Sequence, residues 1–128
     1  MQNITVGVVQ GATRWHDAEA NRRYYGDLVR SIAQDCDLIV LPETFTSGFT
    51  NETQYAADTM TGESLRWLSA LATEVGSVIT GAALIDYHGL CEPGGNCRVV
   101  PLRGGGSQPG HGRHRYLQPG CSRSAGEQ

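Results

Sequence analysis

Glu43 follows the run Leu38-Ile39-Val40-Leu41-Pro42, which puts a carboxylate at the C-terminal end of an apolar strand. Sheets of α/β proteins present ligands and catalytic groups at that end, so Glu43 is the leading candidate for proton-transfer chemistry. Thiols are present as Cys36, Cys91, Cys97 and Cys121. An ammonium is not: all ten basic residues are Arg, which does not titrate as a lysine does. Cys36 lies just ahead of the strand, where a small buried residue is expected. The other three thiols stand among Gly and Pro, with no strand expected to present them as nucleophiles. Cys91 and Cys97 with His111 and His114 are spaced as Cys-x5-Cys and His-x2-His, which fits no usual zinc knuckle, so no metal or other cofactor is expected.

The elements that must position Glu43 follow from hydrophobic periodicity. Ile4 to Val9 is a β-branched run that reads as a buried strand, ended by Gln10-Gly11. Asp17 is a helix N-cap with Glu19 in the first turn, and Tyr25, Leu28, Val29, Ile32 and Ala33 share one face. Leu38 to Leu41 is the second strand, and Pro42 removes a ladder donor, so regular pairing is expected to end where Glu43 begins. Residues 44 to 60 read as a loop with a short helical turn. Thr61 is the expected cap of a second helix, with Glu63 in its first turn, Leu65, Leu68, Ala72 and Val75 on its stripe and Gly76 after its last turn. Ser77 to Ile85 is the third strand. Alternation of strand and helix argues for an α/β layer fold.

After Tyr87 the chain changes character. Residues 1–87 hold five Arg against eleven acids, and residues 88–128 hold five Arg against two. The second segment also carries ten of the seventeen Gly and four of the five Pro, with Tyr116 its one aromatic residue, so an irregular tail is expected over 88–128. Its Arg and aromatic residues are too few for a nucleic-acid surface. No apolar run approaches the length of a membrane span, and the N-terminus lacks the pattern of a signal peptide, so a cytoplasmic protein without membrane or nucleic-acid partners is expected.

The segment Asp37-Leu38-Ile39-Val40-Leu41-Pro42-Glu43-Thr44-Phe45-Thr46-Ser47-Gly48-Phe49 resembles the first catalytic motif of the nitrilase, or carbon–nitrogen hydrolase, superfamily. Its Phe-Thr-Ser-Gly-Phe continuation is most similar to the omega-amidase branch, as are the Arg22-Arg23-Tyr24-Tyr25 helix and the Gly-Ser-Val-Ile-Thr-Gly strand. The resemblance spans roughly Ile4 to Ile85. It implies part of a four-layer αββα sandwich and a Glu-Lys-Cys hydrolase that releases ammonia from a small omega-amido acid such as 2-oxoglutaramate. In that chemistry a thiolate attacks the amide carbon, a carboxylate moves protons, and a cation or amide donor holds the oxyanion. The resemblance makes Glu43 the base and Phe45, Gly48 and Phe49 the substrate-binding wall. It also implies a homo-oligomer.

The family's Lys and Cys motifs lie downstream of this region and are not in the chain, so turnover by the chain alone is not expected. Residues 1–87 are read as the N-terminal part of the hydrolase domain. Residues 88–128 are compatible with an out-of-frame continuation, because Glu92-Pro93-Gly94 encoded as GAA-CCG-GGN reads Asn-Arg one base later. A small α/β module that binds a ligand through Glu43 without turnover is the alternative.

Overall fold

The computed structural model describes residues 3–59, 61–86 and 97–104, of which 97–103 are described by their backbone alone. Strand β1 (Val6–Val8), helix α1 (Ala18–Ile32), strand β2 (Leu38–Glu43), a short helix α2 (Thr53–Ala56), helix α3 (Glu63–Val75) and strands β3 (Val78–Asp86) and β4 (Cys97–Gly104) follow in that order. A 3-10 turn, Ala33–Asp35, closes α1. The four strands form one sheet in chain order, parallel from β1 to β3 and antiparallel between β3 and β4. Together they make a partial α/β sandwich with α1 and α3 packed on the sheet.

Both long helices start and stop for local reasons. The Asp17 carboxylate accepts from the Ala20 N–H at 3.0 Å, satisfying an orphan donor of the first turn of α1. At the far end of α3, Gly76 takes the left-handed conformation, φ 72°, and its N–H returns to the Ala72 carbonyl at 2.9 Å. Thr61 does not cap α3 as expected. Gly62 occupies the N-cap position without a side-chain bond, and the donor at Ser64 is satisfied by the Asp58 carboxylate at 2.8 Å. The cap comes from six residues upstream because Asp58 is itself fixed to β3: its N–H donates to the Leu84 carbonyl and its own carbonyl accepts from the Asp86 N–H.

Burial raises the Asp58 pKa, but the hydrogen bonds from Ser64 and Thr59 and the field of Arg22 outweigh it, holding the carboxyl below its ordinary value. A depressed folded-state pKa adds stability above the unfolded-state value, and that stability is lost as pH falls through the folded-state value. Asp58→Asn is therefore expected to unfold at a lower temperature than the parent chain near neutral pH, with the gap narrowing in acid below about pH 4. Thermal unfolding of the two proteins across the acid range checks this; a constant gap would contradict it.

The core lies between the helices and one sheet face. Tyr25 and Val29 of α1, Leu68, Leu71 and Ala72 of α3, and Ile39, Leu41, Ile79, Ala83 and Ile85 of the strands are buried there, so the alternate positions of β2 and β3 point toward the helices. The apolar strand at the N-terminus is shorter than expected, and it is not buried on both faces. Val6 and Val8 are 49% and 68% exposed, because the helices cover one side of the sheet alone.

Within the segment expected to be irregular, the described residues 97–104 form a strand. β4 pairs along β3 from Cys97 opposite Asp86 to Gly104 opposite Ile79. Its Pro101 lacks an N–H, which an edge strand tolerates when that position faces away from its neighbour. Cys91, Cys121, His111 and His114 lie outside the described residues.

Candidate functional site at the carboxyl end of the sheet

Glu43 is the last residue of β2 and is exposed. Pairing is interrupted before it, as Pro42 predicts, but it resumes at Glu43 itself: Val40 stands opposite Thr80 and Glu43 opposite Ala82, a bulge of one residue on β2. The next residue, Thr44, has φ 50°, a left-handed conformation that a β-branched side chain rarely adopts. Its carbonyl accepts from the N–H groups of Ser47 and Gly48 at 3.1 and 2.8 Å, so the chain after Glu43 folds into a tight turn. Gly48 completes that turn with φ 72°.

A buried clamp holds this turn. Asn21 of α1 has no exposed surface; its side-chain carbonyl accepts from the Arg14 N–H at 2.7 Å, and its amide donates to the Arg14 and Thr46 carbonyls at 2.7 and 2.8 Å. One side chain thereby ties the loop after β1 to the loop after β2. The His16 N–H adds a bond to the Ser47 carbonyl at 2.9 Å, and the His16 ring shares a hydrogen bond with the Thr50 hydroxyl at 2.7 Å. Tyr25 braces the first loop from below through its hydroxyl contact with Thr13. Asn21→Ala removes the clamp and leaves buried amide and carbonyl groups without partners, with an expected loss of about 2 kcal/mol. Urea denaturation checks this figure, and an unchanged midpoint would show that the loops hold without Asn21.

The expected substrate wall is divided by the fold. Phe45 has no exposed surface and packs beneath the site, its ring edge-on to Tyr25 with centroids 6.3 Å apart and tilted against Trp67 at 5.8 Å. Phe49 is 83% exposed, and Gly48 lies against Trp15, where a β-carbon would stand 3.7 Å from the Trp15 backbone. The fold also brings in Trp15 and His16, which periodicity did not single out; their rings stack with centroids 3.7 Å apart. Their position directly ahead of the Asp17 cap, in the loop leaving β1, is the signal that places them at this sheet edge.

No thiol meets Glu43 among the described residues. Cys36 precedes the opposite end of β2, roughly 20 Å away at the rise of an extended strand, and packs against the core. Cys97 starts β4 opposite Asp86, two strands over and four residues further along than Ala82, which the register makes about 16 Å from Glu43. Among the described residues no group of three His, Cys, Asp or Glu is placed to hold a metal, and no helix is long and apolar enough to cross a membrane. The arrangement supplies one solvent-facing carboxylate on a rigid strand end with an aromatic loop beside it.

The chain is 30% identical over 110 residues to the omega-amidase YafV of Escherichia coli, covering 80% of this chain and 42% of that protein. It is 34% identical over 86 residues to the omega-amidase YafV of Yersinia enterocolitica, covering 67% of this chain and 33% of that protein. Among solved structures, it matches XC1258 from Xanthomonas campestris, a CN-hydrolase superfamily protein with an arsenic adduct in its active site. That match has a TM-score of 0.67 at 37% identity over 78% of this chain and 40% of that one. Nit3 of Saccharomyces cerevisiae, a nitrilase superfamily member, shares the fold at a TM-score of 0.64 and 20% identity over 80% of this chain and 40% of that one. The chain thus spans about two fifths of the length of these relatives. The carbon-nitrogen hydrolase family profile matches residues 5–120, past the change of composition at residue 88, and the chain belongs to that family.

Proposed function

We propose that residues 3–104 carry the carboxylate part of an omega-amidase-type active site, with Glu43 as the general base for hydrolysis of a small omega-amido acid such as 2-oxoglutaramate. The single observation behind this reading is Glu43 itself, exposed on the bulged end of β2 and followed by a clamped turn. Likeness to relatives named as omega-amidases supports the substrate class. In the reaction a thiolate attacks the amide carbon, ammonia leaves with a proton delivered by the carboxylic acid, and a thioester remains. The same carboxylate then takes a proton from water, which attacks the thioester and frees acid and thiol. Phe49 and Gly48 flank the substrate, and Phe45 supports them from the core.

Among the described residues, two of the three reacting groups are not at hand. The chain has no Lys, and neither Cys36 nor Cys97 is within reach of Glu43. The 128-residue chain is therefore expected to release no ammonia from 2-oxoglutaramate above a heat-killed control, since loss of a nucleophile lowers turnover by orders of magnitude. Ammonia release that Glu43→Gln abolishes would overturn this and point to a thiol outside the described residues. A continuation read out of frame over residues 88–128 is part of the same proposal, and the in-frame family match as far as residue 120 counts against it. The gene sequence across codons 80 to 100 decides it: an alternative frame should encode Asn-Arg, then a Lys-Arg segment, then a Cys in an apolar setting. Early stops in every other frame would refute it.

A further inference from the structure

Side chains alternate along a strand, so Ile39, Leu41, Glu43 and Phe45 would share one face if β2 ran on unbroken. Ile39, Leu41 and Phe45 do share it, buried against the helices, whereas Glu43 is exposed. Residues opposite each other on neighbouring strands point to the same side of the sheet, and Glu43 stands opposite Ala82. The residues on either side of Ala82 face the core: a β-carbon on Gly81 would meet Leu41 and Phe45, and Ala83 has no exposed surface. Ala82, and Glu43 with it, therefore point to the face without helices. The change of side comes from the bulge, which takes three steps on β2 against two on β3 between the Val40–Thr80 and Glu43–Ala82 pairs. Two residues further on, Phe45 is back in the core. The residue between them is Thr44, at φ 50°.

We propose that Thr44 is a positioning residue for the Glu43 carboxylate, its left-handed backbone holding Glu43 on the open face between two side chains, Leu41 and Phe45, that the core requires. The functional weight of this rests on the reading of Glu43 as the base. A β-branched residue has no local reason to be left-handed, since Gly, Asn and Asp adopt that conformation with less strain. Such strain persists only where the surroundings over-determine it. Here they do so from several directions: the Thr44 carbonyl accepts from the Ser47 and Gly48 N–H groups, the Thr46 carbonyl accepts from Asn21, and the Ser47 carbonyl accepts from the N–H of His16, a second left-handed residue at φ 54°. Phe45, packed against Tyr25 and Trp67, anchors the next position. Glycine would meet the same φ without strain, but it would also leave the peptide after Glu43 free to sample other conformations, which a β-branched side chain excludes. The strain thus goes with a single direction for the carboxylate.

Nuclear magnetic resonance of the isotopically labelled 128-residue chain, with urea denaturation beside it, tests the proposal. The parent chain is expected to show a cross-strand contact between the backbones of Glu43 and Ala82, and a Glu43 amide as rigid as the core strands, with an order parameter of about 0.85. Thr44→Asn tolerates the left-handed conformation, so it is expected to raise the urea midpoint by about 0.5 M and to keep Glu43 ordered. Thr44→Gly also removes the strain and is expected to unfold no earlier than the parent chain, but the order parameter of Glu43 should fall toward about 0.6 while those of Leu68 and Ile79 stay unchanged. A purely structural role would move the midpoint without singling out Glu43. A parent chain without the Glu43–Ala82 contact, a lower midpoint in Thr44→Asn, or a Glu43 as ordered in Thr44→Gly as in the parent would overturn the proposal. None of these readouts uses a substrate, so they fail separately from the assignment of Glu43 as base, which turnover alone addresses.

Discussion

Replacing Phe45 with alanine is expected to destabilise the chain by about 3–5 kcal/mol, the range for deleting a buried aromatic ring from a close-packed core. The ring has no exposed surface and fills the space between Tyr25, Trp67 and the backbone of β3. Gly81 has no side chain because the ring lies there: a β-carbon on it would stand 3.1 Å from the Phe45 ring and 3.0 Å from the Leu41 side chain. Small domains hold only about 5–15 kcal/mol in all, so a loss of this size removes much of the folded population. Chemical denaturation should show the midpoint fall by roughly twice the shift caused by Asn21→Ala. Phe45→Leu, which retains most of the volume, should recover a large part of the loss. An alanine variant as stable as the parent chain would place the core elsewhere.

Gly104→Leu is expected to cost about 3 kcal/mol, at the upper end of the range for overpacking, and to detach the end of β4. A β-carbon at this position would stand 2.8 Å from the Leu68 carbonyl oxygen and 2.9 Å from the Ala72 β-carbon, both belonging to α3. The carbonyl is part of the helix backbone and has no rotamer by which to move aside. Ile79, the register partner of Gly104, would have to separate from it or α3 would have to shift off the sheet. Limited trypsin digestion reads this directly. Arg98 and Arg103 lie within the paired strand in the parent chain and should be cut slowly there, and quickly in the variant. Equal, rapid cleavage at both sites in the parent chain would show that β4 is not held by β3 and α3.

Local pattern already carried most of the frame that presents Glu43. Alternating strand and helix, the Asp17 cap, the Gly76 stop and the break at Pro42 all depend on neighbours a few residues apart, and the structure places each where those neighbours require. Other features rest on partners far away in the chain. Asn21 joins loops 7 and 25 residues distant, and Asp58 caps α3 because β3 holds it, so neither is visible in periodicity. β4 escaped notice because the Gly, Pro and Arg of its segment break up the short apolar run of Val99, Val100 and Leu102; pairing with β3 and the glycine fit against α3 supply what local pattern does not. Val6, Val8, Leu38 and Val40 read as buried on both faces, since a continuous β-branched run does not reveal which side a neighbour covers. That is decided by the helices, which pack on one face of the sheet and leave the other to a second layer.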